Sequence, residues 1–388
     1  MKRKIAIITG SRAEWGILKQ LWFELKKNSH IQEQLIVIGS HFAENSGYSI
    51  NEIIEDNVEV TAKLESSNSK KVNSMFYEIG DIFKELPEVM SKLNPDIAVV
   101  LGDRYEIFAA ASVCRLFGSK LAHISGGEIT QGAFDDCLRH SITKMADIHF
   151  TANKEYRQRV IQLGELPELV FDVGDPGLYR FSQIKKIDKK TLAPNLKIPL
   201  NKNIVVATFH PETCNPGVVS KKLPEIIDCF LQEFPENLFI FTAANSDPEG
   251  LIINDLILRA GKKWPNKIKF FKNLGRQRYL SLAAVSQFVA GNSSSGIIEI
   301  PSLKVPVINF GDRQKGRPHG IHVIDVDFKI NSLKKALKLI IKPEFLKKVE
   351  KSENIYEGEN SIDKIVEVLA GINLSSLMGG KVFYDIGK

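Results

Sequence analysis

Two doubly wound parallel α/β domains are the architecture this sequence predicts, and three observations predict it. Short β-branched runs recur, closed by glycine or a small polar residue, as expected of buried parallel strands. Stretches of helical length and periodicity fall between them, so strand and helix alternate. The alternation breaks once, over residues 184–203, and then restarts. At 388 residues the chain is also longer than one ordinary core organises, which again implies two domains.

In order, Lys4–Gly10 (KIAIITG) reads as the first buried strand, followed by Ser11-Arg12 and a helix from Ala13 to Lys27. No GxGxxG is present at this junction, so a dinucleotide is not indicated. Leu35–Ser40 is the second strand, ending at His41, and Val58–Leu64 a third. An amphipathic helix covers Ser74–Leu93 and stops at Asn94-Pro95. Asp96–Leu101 (DIAVVL) is the next strand; it runs into Gly102-Asp103-Arg104 and a helix to Leu116. Leu121–Ser125 ends in Gly126-Gly127-Glu128, and Asp135-Asp136 open a helix that continues from Cys137 to Met145. Ile148–Thr151, a helix over Lys154–Leu163 and a strand at Leu169–Val173 complete the first half.

Residues 184–203 are lysine-rich, contain Pro194 and Pro199 and lack periodicity, so they read as a linker. Strands are then expected at Ile204–Phe209, Leu238–Thr242, Ile268–Phe271, Phe288–Ala290 and Val305–Phe310, with helices near 220–234, 250–261, 277–286 and 295–302. A last amphipathic helix covers Ser361–Ile372. The expected division is a first domain over 1–183, the linker, a second domain over 204–360 and a C-terminal helix and tail over 361–388.

Charge and cysteines bound the function. The net charge of +6 is spread along the chain. It suits a small anionic substrate, and clusters such as Lys185-Lys186 and Lys189-Lys190 lack the interleaved aromatics of an RNA face. No nucleic acid is expected. Cys114, Cys137, Cys214 and Cys229 have no zinc spacing. Cys114 and Cys229 sit in apolar helical patterns and read as core thiols in a reducing cytoplasm. The apolar run behind Lys2-Arg3-Lys4 is only Ile5–Ile8, neither signal peptide nor membrane span.

The chemistry gathers at strand ends, where parallel sheets place ligands. Gly291-Asn292-Ser293-Ser294-Ser295-Gly296 joins a buried strand to a helix. Small residues and the first N–H groups of a helix make an anion cradle there. Glu299 follows about one turn on, placed to accept from ribose hydroxyls. The same stretch also reads as a plain turn with a serine N-cap. Arg12, His41, Asp103-Arg104, Glu128 and Asp135 fall at strand ends of the first half, and His210 at one of the second. Structural readings stand beside each: Asp135 or Asp136 as a helix cap, His41 and His210 bonded to a neighbour, Arg104 paired with Glu106. Carboxylates without a metal triad, arginines and a phosphate cradle point to a nucleotide-activated substrate with acid/base work on its other half.

Seven motifs in order carry a resemblance: Ser11-Arg12-Ala13-Glu14, Leu101-Gly102-Asp103-Arg104-Tyr105-Glu106, Gly126-Gly127-Glu128, Arg139-His140-Ser141-Ile142-Thr143-Lys144, His210-Pro211-Glu212, Gly291–Gly296 and Gly311-Asp312-Arg313-Gln314-Lys315-Gly316-Arg317. From residue 4 to 370 the chain resembles the UDP-N-acetylglucosamine 2-epimerases, above all the hydrolysing branch of sialic-acid and related nonulosonic-acid synthesis. The resemblance implies two Rossmann-like domains facing a cleft, the GT-B arrangement, with no catalytic metal, no nicotinamide and no other cofactor. It implies a UDP-sugar substrate, a cytoplasmic homodimer or homotetramer, and no membrane partner. Ser293 and Ser294, with Gly291 and Gly296, would hold the diphosphate and Glu299 the ribose. Arg313 would support the nucleotide end, Arg12 would reach the phosphates, and His41 and Arg104 would line the substrate. Asp103, Glu128, Asp135 and His210 would be catalytic. Many members carry glutamate at the third position of the H-I-x-G-G turn; here it is Ser125, so Glu128 is expected to take that role. UDP-GlcNAc hydrolysis to ManNAc and UDP through a 2-acetamidoglycal is the implied reaction. Alternatives are the sister enzyme acting on UDP-2,4-diacetamido-2,4,6-trideoxyglucose (the legionaminic acid route), a non-hydrolysing epimerase, a GT-B glycosyltransferase and a silent nucleotide-sugar sensor.

Overall fold

The central strands of the first sheet are buried on both faces, so successive side chains feed two different cores. Ile5 and Ile7 of β1 (Arg3–Thr9) pack with Trp15, Leu18 and Ile365, whereas Ala6 and Ile8 pack with Ile82, Leu86 and Ala109. This period-two division makes the strand a continuous apolar run. The structure is a computed structural model describing residues 2–42, 48–65, 74–130, 135–199, 201–212, 215–244, 248–377 and 380–387. Cys214 lies outside them.

The described residues divide into two units. The first takes those of 1–128, 134–180 and 358–388. After β1 come α1 (Arg12–Lys26), β2 (Ile31–Val37), α2 (Ile50–Glu55), β3 (Ala62–Lys63), α3 (Ser74–Leu93), β4 (Ile97–Leu101), α4 (Tyr105–Phe117), β5 (Lys120–Ile124), α5 (Asp135–Met145), β6 (Ile148–Thr151), α6 (Lys154–Gln162) and β7 (Val170–Asp172). The strand order is β3-β2-β1-β4-β5-β6-β7, with every pair parallel.

The second unit takes the described residues of 181–357 and 129–133. It contains α7 (Lys189–Leu196), β8 (Ile204–Thr208), α8 (Val218–Glu233), β9 (Leu238–Thr242), α9 (Pro248–Lys263), β10 (Ile268–Phe271), α10 (Gly275–Ala284), β11 (Ser286–Gly291), α11 (Ser294–Ile298), β12 (Val307–Phe310), β13 (Val323–Val326), α12 (Ile330–Ile340) and α13 (Pro343–Lys351). Its strands, also parallel, run β10-β9-β8-β11-β12-β13. Phe230, Phe239, Phe288 and Phe310 form its central cluster. The chain then returns to the first unit as α14 (Ser361–Gly371). There the Arg3 guanidinium donates to the carbonyls of Leu369 (2.6 Å), Ala370 (2.8 Å) and Ile372 (2.8 Å), closing the end of that helix.

The doubly wound class expected from the sequence is therefore the one adopted. In each sheet the strand order reverses once, between β1 and β4 and between β8 and β11. These switch points are where such sheets leave a crevice beyond the carboxyl ends of the strands. Arg12 and Asp103 follow β1 and β4; His210 and Ser293 follow β8 and β11.

Several elements depart from expectation. The segment read as an irregular linker holds α7, started by Asp188, whose carboxylate accepts from the Thr191 N–H at 3.0 Å, and anchored by buried Leu192, Ala193 and Leu196. Pro194 is tolerated in a helix of only eight residues. The third strand shrinks to two residues, paired with β2 alone among the described residues. The sequence reading also lacked α2, β13, α12 and α13. In α12, buried Leu333, Ala336, Leu337 and Ile340 follow i, i+3, i+4, i+7 spacing, so this helix was written in the pattern.

Gly291 ends β11 at φ +129°, with an added Cβ only 1.8 Å from the Thr208 carbonyl oxygen. A side chain there meets both strain and backbone. Gly291→Ala is predicted to destabilise the protein on the order of 3 kcal/mol. Urea unfolding with the parent midpoint would contradict this.

Candidate active site

In the first unit the site is organised by a residue to which the sequence assigned no role. Arg139, on α5, is 4% exposed. Its guanidinium pairs with Asp103 and with Asp136 (2.7 Å), and donates to the Glu128 carbonyl at 2.9 Å. One planar cation thus fixes the turn after β4, the turn after β5 and the first turn of α5. Asp135 stands beside this group. Burial first, and the charge of Asp103 second, raise its carboxyl above the ordinary range, against the pull of Arg104 and Arg139. The Glu128 carbonyl belongs to this group, and the residue is buried. Asp103, Asp135 and the backbone of Glu128 are therefore brought together.

His123, the next-to-last residue of β5, ties the group to the sheet. Its Nε2–H donates to the Gly102 carbonyl (2.8 Å), and Nδ1 lies 3.1 Å from the Thr143 hydroxyl. Burial drives its pKa down to about 3, so the ring is neutral and structural. A histidine inside an otherwise apolar strand was the signal for it.

The other residues of the first unit divide. Arg12 opens α1, exposed, and pairs with Glu52 at 2.7 Å. Arg104 takes its expected local partner, with Nε 2.5 Å from Glu106 Oε1. His41, expected to line the substrate, is fully buried, with Nε2 3.0 Å from the Thr9 hydroxyl and Nδ1 2.9 Å from that of Ser49. Burial, with Arg104 adding, depresses it to about 4. It holds the end of β1 to the segment before α2 and leaves no ring nitrogen for a ligand.

Behind the Gly10–Arg12 turn lie two buried carboxyls. Glu14 Oε2 accepts from the Gly10 N–H at 2.7 Å. An added Cβ at Gly10 would come 2.5 Å from Glu106 Cγ. Burial, and secondarily the Glu106 charge, push Glu14 from 4.5 to about 8. The folded state thus holds a proton that the unfolded chain releases. Its stabilising contribution is complete below pH 4.5 and disappears as pH rises through 8. Glu14→Gln keeps the acceptor without the charge. It is predicted to raise Tm above that of the parent beyond pH 8 and leave Tm unchanged near 4.5; parallel Tm–pH curves would refute it.

In the second unit the organising residue is Asn292, fully buried. Its side chain accepts from the His210 N–H (2.7 Å) and donates to the His210 carbonyl (2.8 Å), while its own carbonyl accepts from Arg313 Nη1 and Gln314 Nε2, each at 3.0 Å. Glu212 Oε1 accepts from the N–H groups of Asp312 (2.8 Å) and Arg313 (3.2 Å). His210, Gly291, Ser293 and Arg313 are gathered in this way. Neither Asn292 nor Glu212 had been given a role, because both act through backbone contacts that residue type does not reveal.

The serine stretch meets both of its readings. Ser293 caps α11, accepting from the Ser295 N–H at 3.4 Å, and Ser294 begins the helix. That helix has five residues, then a 3-10 turn at Ile300–Leu303, so it is shorter than expected. Gly296 lets it approach β12, an added Cβ lying 3.1 Å from Val307 Cγ1. Glu299 sits beyond its last turn, 3.2 Å from Arg276 of α10. Cys114 and Cys229 are buried in α4 and α8 as expected. Among the described residues no helix is long and apolar enough to cross a membrane.

A family model described as UDP-N-acetylglucosamine 2-epimerase matches residues 23–370. The chain is 36% identical over 388 residues to the GDP/UDP-N,N'-diacetylbacillosamine 2-epimerase (hydrolyzing) of Campylobacter jejuni, covering 99% of this chain and 100% of that one. It is 35% identical over 386 residues to the polysialic acid biosynthesis protein P7 of Escherichia coli, covering 99% and 98%. Its fold matches the crystal structure of UDP-GlcNAc 2-epimerase from Neisseria meningitidis bound to UDP-GlcNAc, with TM-score 0.74, 19% identity, and coverage of 94% of this chain and 99% of that one. With the family model spanning most of its length, the chain belongs to the UDP-N-acetylglucosamine 2-epimerase family, and the enzyme type expected from its motifs, a hydrolysing UDP-sugar 2-epimerase, is the type of the Campylobacter relative.

Proposed function

We propose that this protein hydrolyses a UDP-2-acetamido sugar with inversion at C2. The observation that carries the proposal is the buried Arg139, which holds Asp103, Asp136 and the Glu128 turn beside Asp135. Acid/base chemistry at adjacent ring carbons needs several carboxylates in distinct environments, and this cluster supplies them.

The reaction breaks the C1–O bond, whose electrons leave with UDP, and moves the C2 proton to a carboxylate. A C1=C2 double bond results. Sugar C2–H is weakly acidic, so C1–O cleavage runs ahead and gives the ring oxocarbenium character. Water then adds its hydroxyl to C1, and a proton returns to C2 on the opposite face. We assign Asp103 and Glu128 as the acid/base pair and Asp135 as the third carboxylate. His210 protonates or binds the departing diphosphate. Arg12, Arg313, Ser293 and Ser294 supply cations and donors where its charge develops. Gly291 and Gly296 admit it, Glu299 takes the ribose, and Arg104 steadies the carboxylates. The enzyme is taken as cytoplasmic and as a homodimer or homotetramer.

For the sugar, UDP-2,4-diacetamido-2,4,6-trideoxyglucose is favoured by the name of the Campylobacter relative and UDP-GlcNAc by the description of the family model. Each sugar nucleotide is incubated separately with the protein in D2O. Free UDP with an inverted sugar deuterated at C2 is the expected outcome, from the better substrate at the higher kcat/KM. Deuterated UDP-sugar with inverted C2 would mean a non-hydrolysing epimerase. No release of UDP from either would overturn the proposal.

A further inference from the structure

α5, the helix carrying Asp135, Asp136 and Arg139, has 11 residues. A helix so short does not hold its place by itself, so contacts at its ends set its position. The front is held by Arg139. The rear is held by a segment distant in sequence, residues 381–384. Lys381 Nζ donates to the carbonyl of Thr143 at 3.2 Å and to that of Ala146, two acceptors at the end of the helix. The same ammonium pairs with Glu165 Oε2 at 2.5 Å. Glu165 is 2% exposed and also binds Lys144 (2.5 Å) and His149 (3.0 Å). Two further contacts seat the segment. The Tyr384 N–H donates to the Gly164 carbonyl at 2.9 Å, and the Phe383 ring lies against Gly164, where an added Cβ would come within 2.3 Å of it. Lys144, from α5 itself, stands 4.9 Å over that ring.

We infer that Lys381 is a positioning residue for the reaction, its ammonium capping the carboxyl end of α5 and thereby fixing where Asp135 and Arg139 stand. A cation at a helix C-terminus satisfies carbonyls that otherwise lack partners and opposes the negative end of the dipole. Removing it frees the last turn of α5, while Glu165 keeps Lys144 and His149 as partners, so the fold survives. A shift on the order of 1 Å in a catalytic group lowers turnover by up to about 100-fold. The inference rests on the function proposed above for its catalytic consequence, though not for its structural one.

The test uses the full chain with Lys381→Met and Lys381→Arg. Hydrogen exchange of the α5 amides over 142–146 is expected to quicken about tenfold or more in Lys381→Met and to return toward the parent rate in Lys381→Arg. kcat should fall about tenfold in the methionine variant with KM and UDP affinity within twofold of the parent, and the arginine variant should recover most of it. Unchanged exchange in α5 would overturn the brace whatever the activity. Quickened exchange with unchanged kcat would overturn its bearing on catalysis. Because exchange needs no substrate, failure of the parent to release UDP counts against the proposed function alone.

Discussion

Asp103→Asn is expected to lower kcat by about a thousandfold while UDP affinity, measured by calorimetry, stays within a few-fold of the parent. Asparagine is nearly isosteric and still accepts from Arg139, so the turn after β4 should keep its shape. What disappears is the ability to take or return a proton at neutral pH. The serine stretch and Arg313, proposed to hold the nucleotide, belong to the other unit, so those contacts are expected to remain. Full activity in this variant would reject Asp103 as acid or base, and a parallel loss of UDP binding would make its role one of assembly. The same change also removes the charge that helps raise Asp135, so residual activity should have an acidic limb shifted to lower pH.

The second large effect is predicted for Arg139. Arg139→Met removes a buried cation from Asp103 and Asp136, whose side chains are 23% and 26% exposed. Breaking such a group strands carboxylates and a carbonyl together. Because the acids reach solvent, the cost is placed at the lower end for buried pairs, about 3 kcal/mol. Turnover should fall with it, since three segments lose their common partner. Arg139→Lys restores charge but not the planar fork, so most stability should return while kcat stays down about tenfold or more. Denaturant midpoints and steady-state rates on all three proteins settle it. Parent turnover in Arg139→Met would remove the organising role given to this residue.

Most of the fold was legible because parallel strands announce themselves. Runs such as Ile204–Thr208 are apolar on both faces, end in turn residues, and are too short and too rich in β-branched residues for a buried helix. What escaped were elements whose signal is weak or divided. β3 has two residues, α7 carries a proline, and β13 is a four-residue edge strand. In the Arg139 cluster, the places of Asp103 and Asp135 could be read from strand and helix ends. Arg139 and Asn292 could not, since an arginine in a polar helix and an asparagine in a serine turn look ordinary until their partners are known. His41 shows the opposite difficulty. Its position after a strand was suggestive, but Thr9 and Ser49 claim both nitrogens, and hydroxyl partners so far apart in sequence leave no local trace.

The clasp of Arg3 on the end of α14 has a bearing on how the protein is made. During synthesis the ribosome releases residues 181–357 as an uninterrupted stretch, able to condense as soon as it emerges. The opening strand must wait for nearly the whole polypeptide before its arginine meets those carbonyls. Until then the apolar side of α1 that Ile362, Ile365 and Leu369 finally cover is left bare. Nascent chains stalled short of residue 358 should therefore engage a holdase chaperone through their N-terminal part.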